Sequence, residues 1–350
     1  MDNHAKNKSI VARFLSELSQ AEPGEISAIL GQFCHQDVVW EVFHPFNTIH
    51  GIEAADSKFW NPLKTAFPDY EQRLNIIIGG EYEGRNWVST LGHVTGSFFS
   101  SWLNIPPTYG ITFLRFGLNA MVRDGKLAKV YILIDIVDVM RQAGLYPFRQ
   151  MPGSPEQWPA PPAGTGVRDD SYDGEQGAQS LRTVLEMQQG LLAMDLTDLK
   201  HADYSPLWHS NKNWYGPAGI GSTRGKRGFR EYHGRLFLQA FPDRAGVARD
   251  HNGPQDAPGH YIRIGDGKFA VTSGWPSIYA THLGDGWLGL APSGRKVEMR
   301  VADWYRVSDD NKLIENWVAM DILHILWQVG LDVLKDMQYF ADRTKRRWPD

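Results

Sequence analysis

Residues 312–331 read KLIENWVAMDILHILWQVGL, and residues 126–145 read KLAKVYILIDIVDVMRQAGL. The two stretches align without a gap. Each carries an aromatic residue (Trp317, Tyr131) four positions before an aspartate (Asp321, Asp135) and closes in Gln-x-Gly-Leu. Apolar alternation up to the aspartate predicts a strand, and the residues after it predict a short helix. Positions four apart on a strand share a face, so Trp317 should point with Asp321, and Tyr131 with Asp135. An aromatic wall beside a carboxyl is one way to keep it dry and reactive.

Working outward, the repetition extends over most of the chain. His35, Trp40, Gly51 and Asp69 correspond to His209, Trp214, Gly225 and Asp243 at a constant displacement of 174 (214−40), and the tetrapeptide AFPD occurs at 66–69 and 240–243. At the final strand the displacement is 186 (321−135), so twelve residues have been gained, placed by composition in 250–259 and 282–286. The pattern predicts an internal duplication. Each copy reads as two helices, a strand, a helix, and a run of strands ending in a short helix. Ile10, Val11, Phe14, Leu15 and Leu18 give the first helix its apolar face. Pro147, Pro152, Pro155, Pro159, Pro161 and Pro162 mark an extended connector between the copies. The expected division is 1–146, a linker at 147–177, 178–342, and a polar tail at 343–350.

Composition narrows the function. A formal net charge of −4 offers no basic field for nucleic acid, and a single Cys34, expected in a helix without an activating partner, excludes an internal disulfide framework. The N-terminal residues lack a signal-type apolar run, and no apolar stretch approaches a membrane span. These features point to a soluble, cytoplasmic protein. Thirteen tryptophans suit an apolar pocket as well as a core.

The motifs resemble the SnoaL-like polyketide cyclase family within the NTF2-like (cystatin-like) superfamily. The resemblance rests on both AFPD segments, Gly92-His93-x-x-Gly96 with Ile105-Pro106-Pro107, Pro292-Ser293-Gly294, and above all the paired 124–145 and 310–331 segments. It implies an α+β fold of two tandem cone-shaped domains. Each would be a curved, mostly antiparallel sheet wrapped around helices, and the two would pair as an intrachain pseudo-dimer, with further homodimerisation left open. It also implies a small-molecule enzyme without cofactor or metal. Its acid/base would be Asp321 or Asp135, with His93 at the family's strand histidine and Trp275 in its place in the second copy.

Each candidate has a structural counterpart reading. Asp321 and Asp135 sit where N-cap residues sit. His324, one helical turn after Asp321, could relay its proton. Asp303 and Tyr305 on the penultimate strand stand opposite an apolar stretch of the first copy. Trp317, Tyr131, Trp214, Tyr215, Trp40 and Trp275 are the candidate cavity aromatics, although most strand aromatics are core. The spacing of His251, Asp256 and His260 matches no standard metal site. The arginines and lysine at 224–230 read as a solvated helix start.

The favoured function is cofactor-independent proton transfer (cyclisation, isomerisation or a lyase step) on a small apolar or aromatic carbonyl compound, with Asp321 as preferred acid/base. The alternatives are a non-catalytic carrier or scaffold of the same fold, and an epoxide-hydrolase-like hydrolase, whose two acids and arginine are not evident in the sequence.

Overall fold

The structure is a computed structural model describing residues 2–155, 158–192, 206–249, 257–284 and 286–339, without the Leu192 side chain. His251, Asp256 and the tail 343–350 lie outside the described residues.

The first sheet comprises β1 (Cys34–Val42), β2 (Asn47–His50), β3 (Glu71–Tyr82), β4 (Arg85–Ser97), β5 (Ile111–Arg123) and β6 (Lys126–Ile134), ordered β2-β1-β6-β5-β4-β3. The second comprises β7 (Trp208–Tyr215), β8 (Thr223–Arg224), β9 (Ala245–Gly246), β10 (His260–Asp266), β11 (Phe269–Thr281), β12 (Lys296–Val307) and β13 (Leu313–Met320). Read from β8, its order is β8-β7-β13-β12-β11-β10, the same path, with β9 added on β11. In each sheet the first long strand runs parallel to the last, β1 with β6 and β7 with β13, and the other pairings are antiparallel. The long helices Asn3–Gln20 and Gly174–Leu192 pack against β3 and β10 respectively. Two α+β units result.

Local sequence explains several details. The helical stretch from Ile52 to Ala66 contains a π-helical turn, Asp56–Trp60, and the second unit has one at Arg230–Gly234. Cys34 opens β1 rather than sitting in a helix, and burial pushes its thiol up to about 12, so it is inert. The proline-rich stretch is packed. Trp158 and Met151 are buried, the Trp158 indole donates to the Tyr215 carbonyl, and Gly166 accepts from the Ile77 N–H. The helix expected after the linker starts inside it, at Gly174. Prolines rule out regular structure there, but large apolar side chains between them still find a surface to bury against.

The units are joined by buried polar contacts. Lys8 Nζ lies 2.5 Å from Asp266 Oδ2, which also accepts from the Gly79 N–H. Trp304 Nε1 donates to Ser89 Oγ at 2.7 Å, and its ring occupies the space beside Gly117, where a Cβ would lie 2.4 Å from Cη2. Tyr131 and Tyr261 stack with centroids 3.6 Å apart. No described helix is long and apolar enough to cross a membrane.

Candidate functional site

Strand register divides the second sheet into two faces with different tasks. In β12 and β13, Asp303 lies opposite Val318 and Trp304 opposite Trp317. Alternation therefore puts Val301, Asp303 and Tyr305 with Asn316, Val318 and Met320 on one face, and Trp304 with Trp317 on the other. The first face lines a cavity of about 510 Å³; the second turns to the connector and the first unit.

The strand-end aspartates belong to the second face. Asp321 Oδ1 caps its helix by accepting from the His324 N–H at 3.1 Å. Its Oδ2 accepts from the His44 N–H of the first unit at 2.9 Å and pairs with Arg300 at 3.3 Å. Asp135 repeats the arrangement with the units exchanged. It caps through the Asp138 N–H, accepts from the Ala218 N–H at 2.7 Å, and pairs with Arg115 at 3.1 Å. Burial raises both carboxyls, while the arginines and N–H donors oppose it. Neither aspartate is among the cavity-lining residues.

The other expected residues divide likewise. Trp317 is fully buried, donates to the Pro159 carbonyl and packs on Tyr215, whose hydroxyl donates to Glu315. Tyr131 stacks on Tyr261, and Trp275 lies beneath the Arg300 guanidinium. His324 stacks near Trp327, and burial with Arg300 nearby lowers its imidazole to about 3. His93 contacts Trp158 and Phe113, and burial lowers it to about 4. Trp40 belongs to the core of the first unit. His260, weighed above as a metal ligand, lines the cavity, which of the expected catalytic and binding residues holds Trp214, Asp303 and Tyr305.

Around these three stand groups that the sequence reading did not single out. Lys212 on β7 is buried, its Nζ over the Trp208 ring (3.0 Å from the centroid) and 4.9 Å from that of Phe229. His233, in the π-helical turn, stacks on Trp214 at 4.2 Å. Asn316 Nδ2 donates to Asp303 Oδ1 at 3.3 Å, and Gln188 Nε2 donates to the Tyr305 hydroxyl at 3.2 Å. Burial pushes Asp303 up to about 6 against the hydrogen bonds from Asn316 and Tyr305 and the charge of Lys212. Burial likewise drives Lys212 well below the usual lysine value, opposed by Asp303, and lowers His233 to about 3 with the help of Lys212. An acid and an amine that both resist ionisation thus share one chamber, which Arg244, Arg263 and His260 also line.

The first unit shows what this chamber replaces. Trp40 pairs with Val130 where Trp214 pairs with Asn316. Leu118 pairs with Ile132 where Asp303 pairs with Val318. Two residues before the tryptophan, Val38 stands where Lys212 does. The π-helical turn ends in Phe59-Trp60 in the first unit and His233-Gly234 in the second. Val38, Phe59, Trp60, Leu118 and Val130 are all buried core, with Trp60 edge-on to both Trp40 and Phe14. The same positions therefore carry a packed apolar core in one unit and a polar-lined hollow in the other. Sequence comparison of the two copies at these positions would have marked Lys212, His233 and Asn316.

Among the described residues, no three His, Cys, Asp or Glu side chains gather as metal ligands would. No protein-family model matches the chain, and no curated protein matches it. Similar solved structures include AclR, a proposed hydroxylase from Streptomyces galilaeus, with 18% identity over 42% of this chain and 87% of that one, at a TM-score of 0.36. A proposed SnoaL-like polyketide cyclase from Jannaschia sp. CCS1 is 20% identical over 42% of this chain and 96% of its own, at a TM-score of 0.36. IdmH from Streptomyces antibioticus, a proposed polyketide cyclase, is 18% identical over 39% of this chain and 98% of its own, at a TM-score of 0.34. Each is a likeness of fold.

Proposed function

We propose that the second unit is a cofactor-independent acid/base enzyme acting on a small, largely apolar carbonyl compound, and that Asp303 is its acid/base. The observation that carries this reading is the substitution of Lys212, Asp303 and His233 for Val38, Leu118 and Phe59 of the first unit. A buried charge-bearing group costs free energy that an apolar one does not, so the presence of these groups where the first unit packs an apolar core needs a use. In this reading Asp303 removes a proton alpha to the carbonyl and returns it later in a cyclisation, isomerisation or lyase step. A carboxyl raised to about 6 is matched to that task near neutral pH. Trp208, Trp214 and Phe229 exclude water, and Asn316 and Tyr305 hold the carboxyl in place.

The same reading gives Asp321 and Asp135 a joining role. Their oxygens accept capping, guanidinium and cross-unit bonds, and neither residue lines the cavity. We take the two units to be copies of a duplicated unit, paired within one chain as two subunits of a dimer would pair.

The test uses 2-acetylnaphthalene, a planar aromatic ketone. Wild-type protein is expected to show quenched tryptophan fluorescence and to catalyse exchange of the methyl-ketone protons into D2O, with Asp303→Asn binding the ketone but losing exchange. Binding without exchange in wild type would identify a carrier, and absence of both would remove the pocket reading.

A further inference from the structure

Lys8, Lys64 and Lys212 are the buried lysines among the described residues, and two of them have clear occupations. Lys8 pairs with Asp266, and Lys64 donates to the Ser19 carbonyl at 2.7 Å. Lys212 does neither. Its contacts are the faces of Trp208 and Phe229, and no carboxylate of a described residue comes within ion-pair distance of its Nζ. It projects from a strand into a cavity of about 510 Å³ that also holds Asp303. The two ring faces would attract an ammonium, but a buried ammonium there would also lose its hydration with no carboxylate of a described residue at ion-pair distance. Burial is the larger effect and favours the neutral amine, whose lone pair is then available.

Building on the acid/base reading of the same cavity, we propose that Lys212 is an amine nucleophile that forms an imine with an aldehyde or ketone bound in the second unit. The neutral amine adds to the carbonyl carbon. The carbon–oxygen π pair moves to oxygen, and the proton lost by nitrogen ends on that oxygen, giving a carbinolamine. Asp303, in its protonated form, then delivers a proton to the carbinolamine hydroxyl. The C–O bond breaks, water departs, and the nitrogen lone pair closes the iminium. Asp303 is left as the carboxylate, placed to take an alpha proton from a carbon acidified by the iminium. No oxidant or cofactor is consumed, and water reverses the linkage.

Burial gives the reaction its selectivity. At pH 7 an exposed lysine with a pKa of about 10.4 is unprotonated in roughly one molecule in 2,500, while burial holds Lys212 well below that value. The full-length protein would be treated with 2-naphthaldehyde and sodium cyanoborohydride at pH 7, which traps an imine as a secondary amine, and the modified sites mapped by peptide mass. Lys212 is expected to be modified at least about tenfold faster than exposed Lys58 and Lys296, the margin following from its larger unprotonated fraction. Lys212→Met and Lys212→Arg should lose that site and keep the slow surface labelling. Modification of Lys212 no faster than Lys58 and Lys296 would overturn the proposal. The ketone exchange assay separates the two ideas: unselective labelling with Asp303-dependent exchange intact removes the imine and leaves acid/base chemistry. Selective labelling of Lys212 without exchange keeps the amine and removes Asp303 as the base.

Discussion

Replacing Asp303 with asparagine tests the candidate site without knowing the substrate. The side chain keeps its shape, and its oxygen can still accept from Asn316, but the ionisable proton is gone. Burial lifts the carboxyl from 3.8 to about 6, so the native protein binds the proton more tightly than the unfolded chain does. Between about pH 4 and 6 the native state therefore holds more protons, and stability falls as pH rises through that window. Above it the ionised carboxylate costs the fold its full penalty. About two pKa units at 1.36 kcal/mol each give roughly 3 kcal/mol as an upper bound. Asp303→Asn should accordingly be more stable than wild type by up to about 3 kcal/mol at pH 8, with the difference fading towards pH 4. Urea unfolding at several pH values, followed by tryptophan fluorescence, measures it. A variant less stable than wild type at pH 8 would show that Asp303 is a well-satisfied structural carboxylate, and the acid/base assignment would lose its physical basis.

Three further outcomes follow from the same geometry. Asp321→Ala should lose about 3–5 kcal/mol in urea unfolding, because it removes the carboxylate paired with the largely buried Arg300 and uncaps a helix. Asp135→Ala should lose less, because Arg115 keeps Asp138 at 3.7 Å; a neutral Asp321→Ala would return that residue to the candidate acids. The double substitution Lys212→Val with Asp303→Leu, which copies Val38 and Leu118, should raise stability by about 1–4 kcal/mol, as replacing buried ionisable groups by apolar ones often does, and should abolish proton exchange. The exchange rate should rise with pH about a midpoint near 6 as Asp303 ionises, and a flat profile from pH 5 to 8 would exclude it as the base.

The α+β class and the run of strands in each half were legible in the sequence because they rest on local signals. Apolar alternation, glycine and proline punctuation and the doubled AFPD all survive without knowledge of what touches what. Trp214 was legible as a strand aromatic, and Asp303 and Tyr305 through their contrast with the apolar stretch of the other half. The pairing of Trp317 with Asp321 was also a sound local statement, since they share a face. Which face is a different matter. A sheet has two sides of equal periodicity, and a one-residue change of register exchanges them. Only packing of the two units against each other turned the Trp317–Asp321 face to the Arg300 ion pair and the connector, and the Asp303 face to the cavity. The hollow itself was also beyond local reading. It exists because Gly234 stands where Trp60 fills the first unit, and the space left by a missing side chain depends on every neighbour that could have collapsed into it.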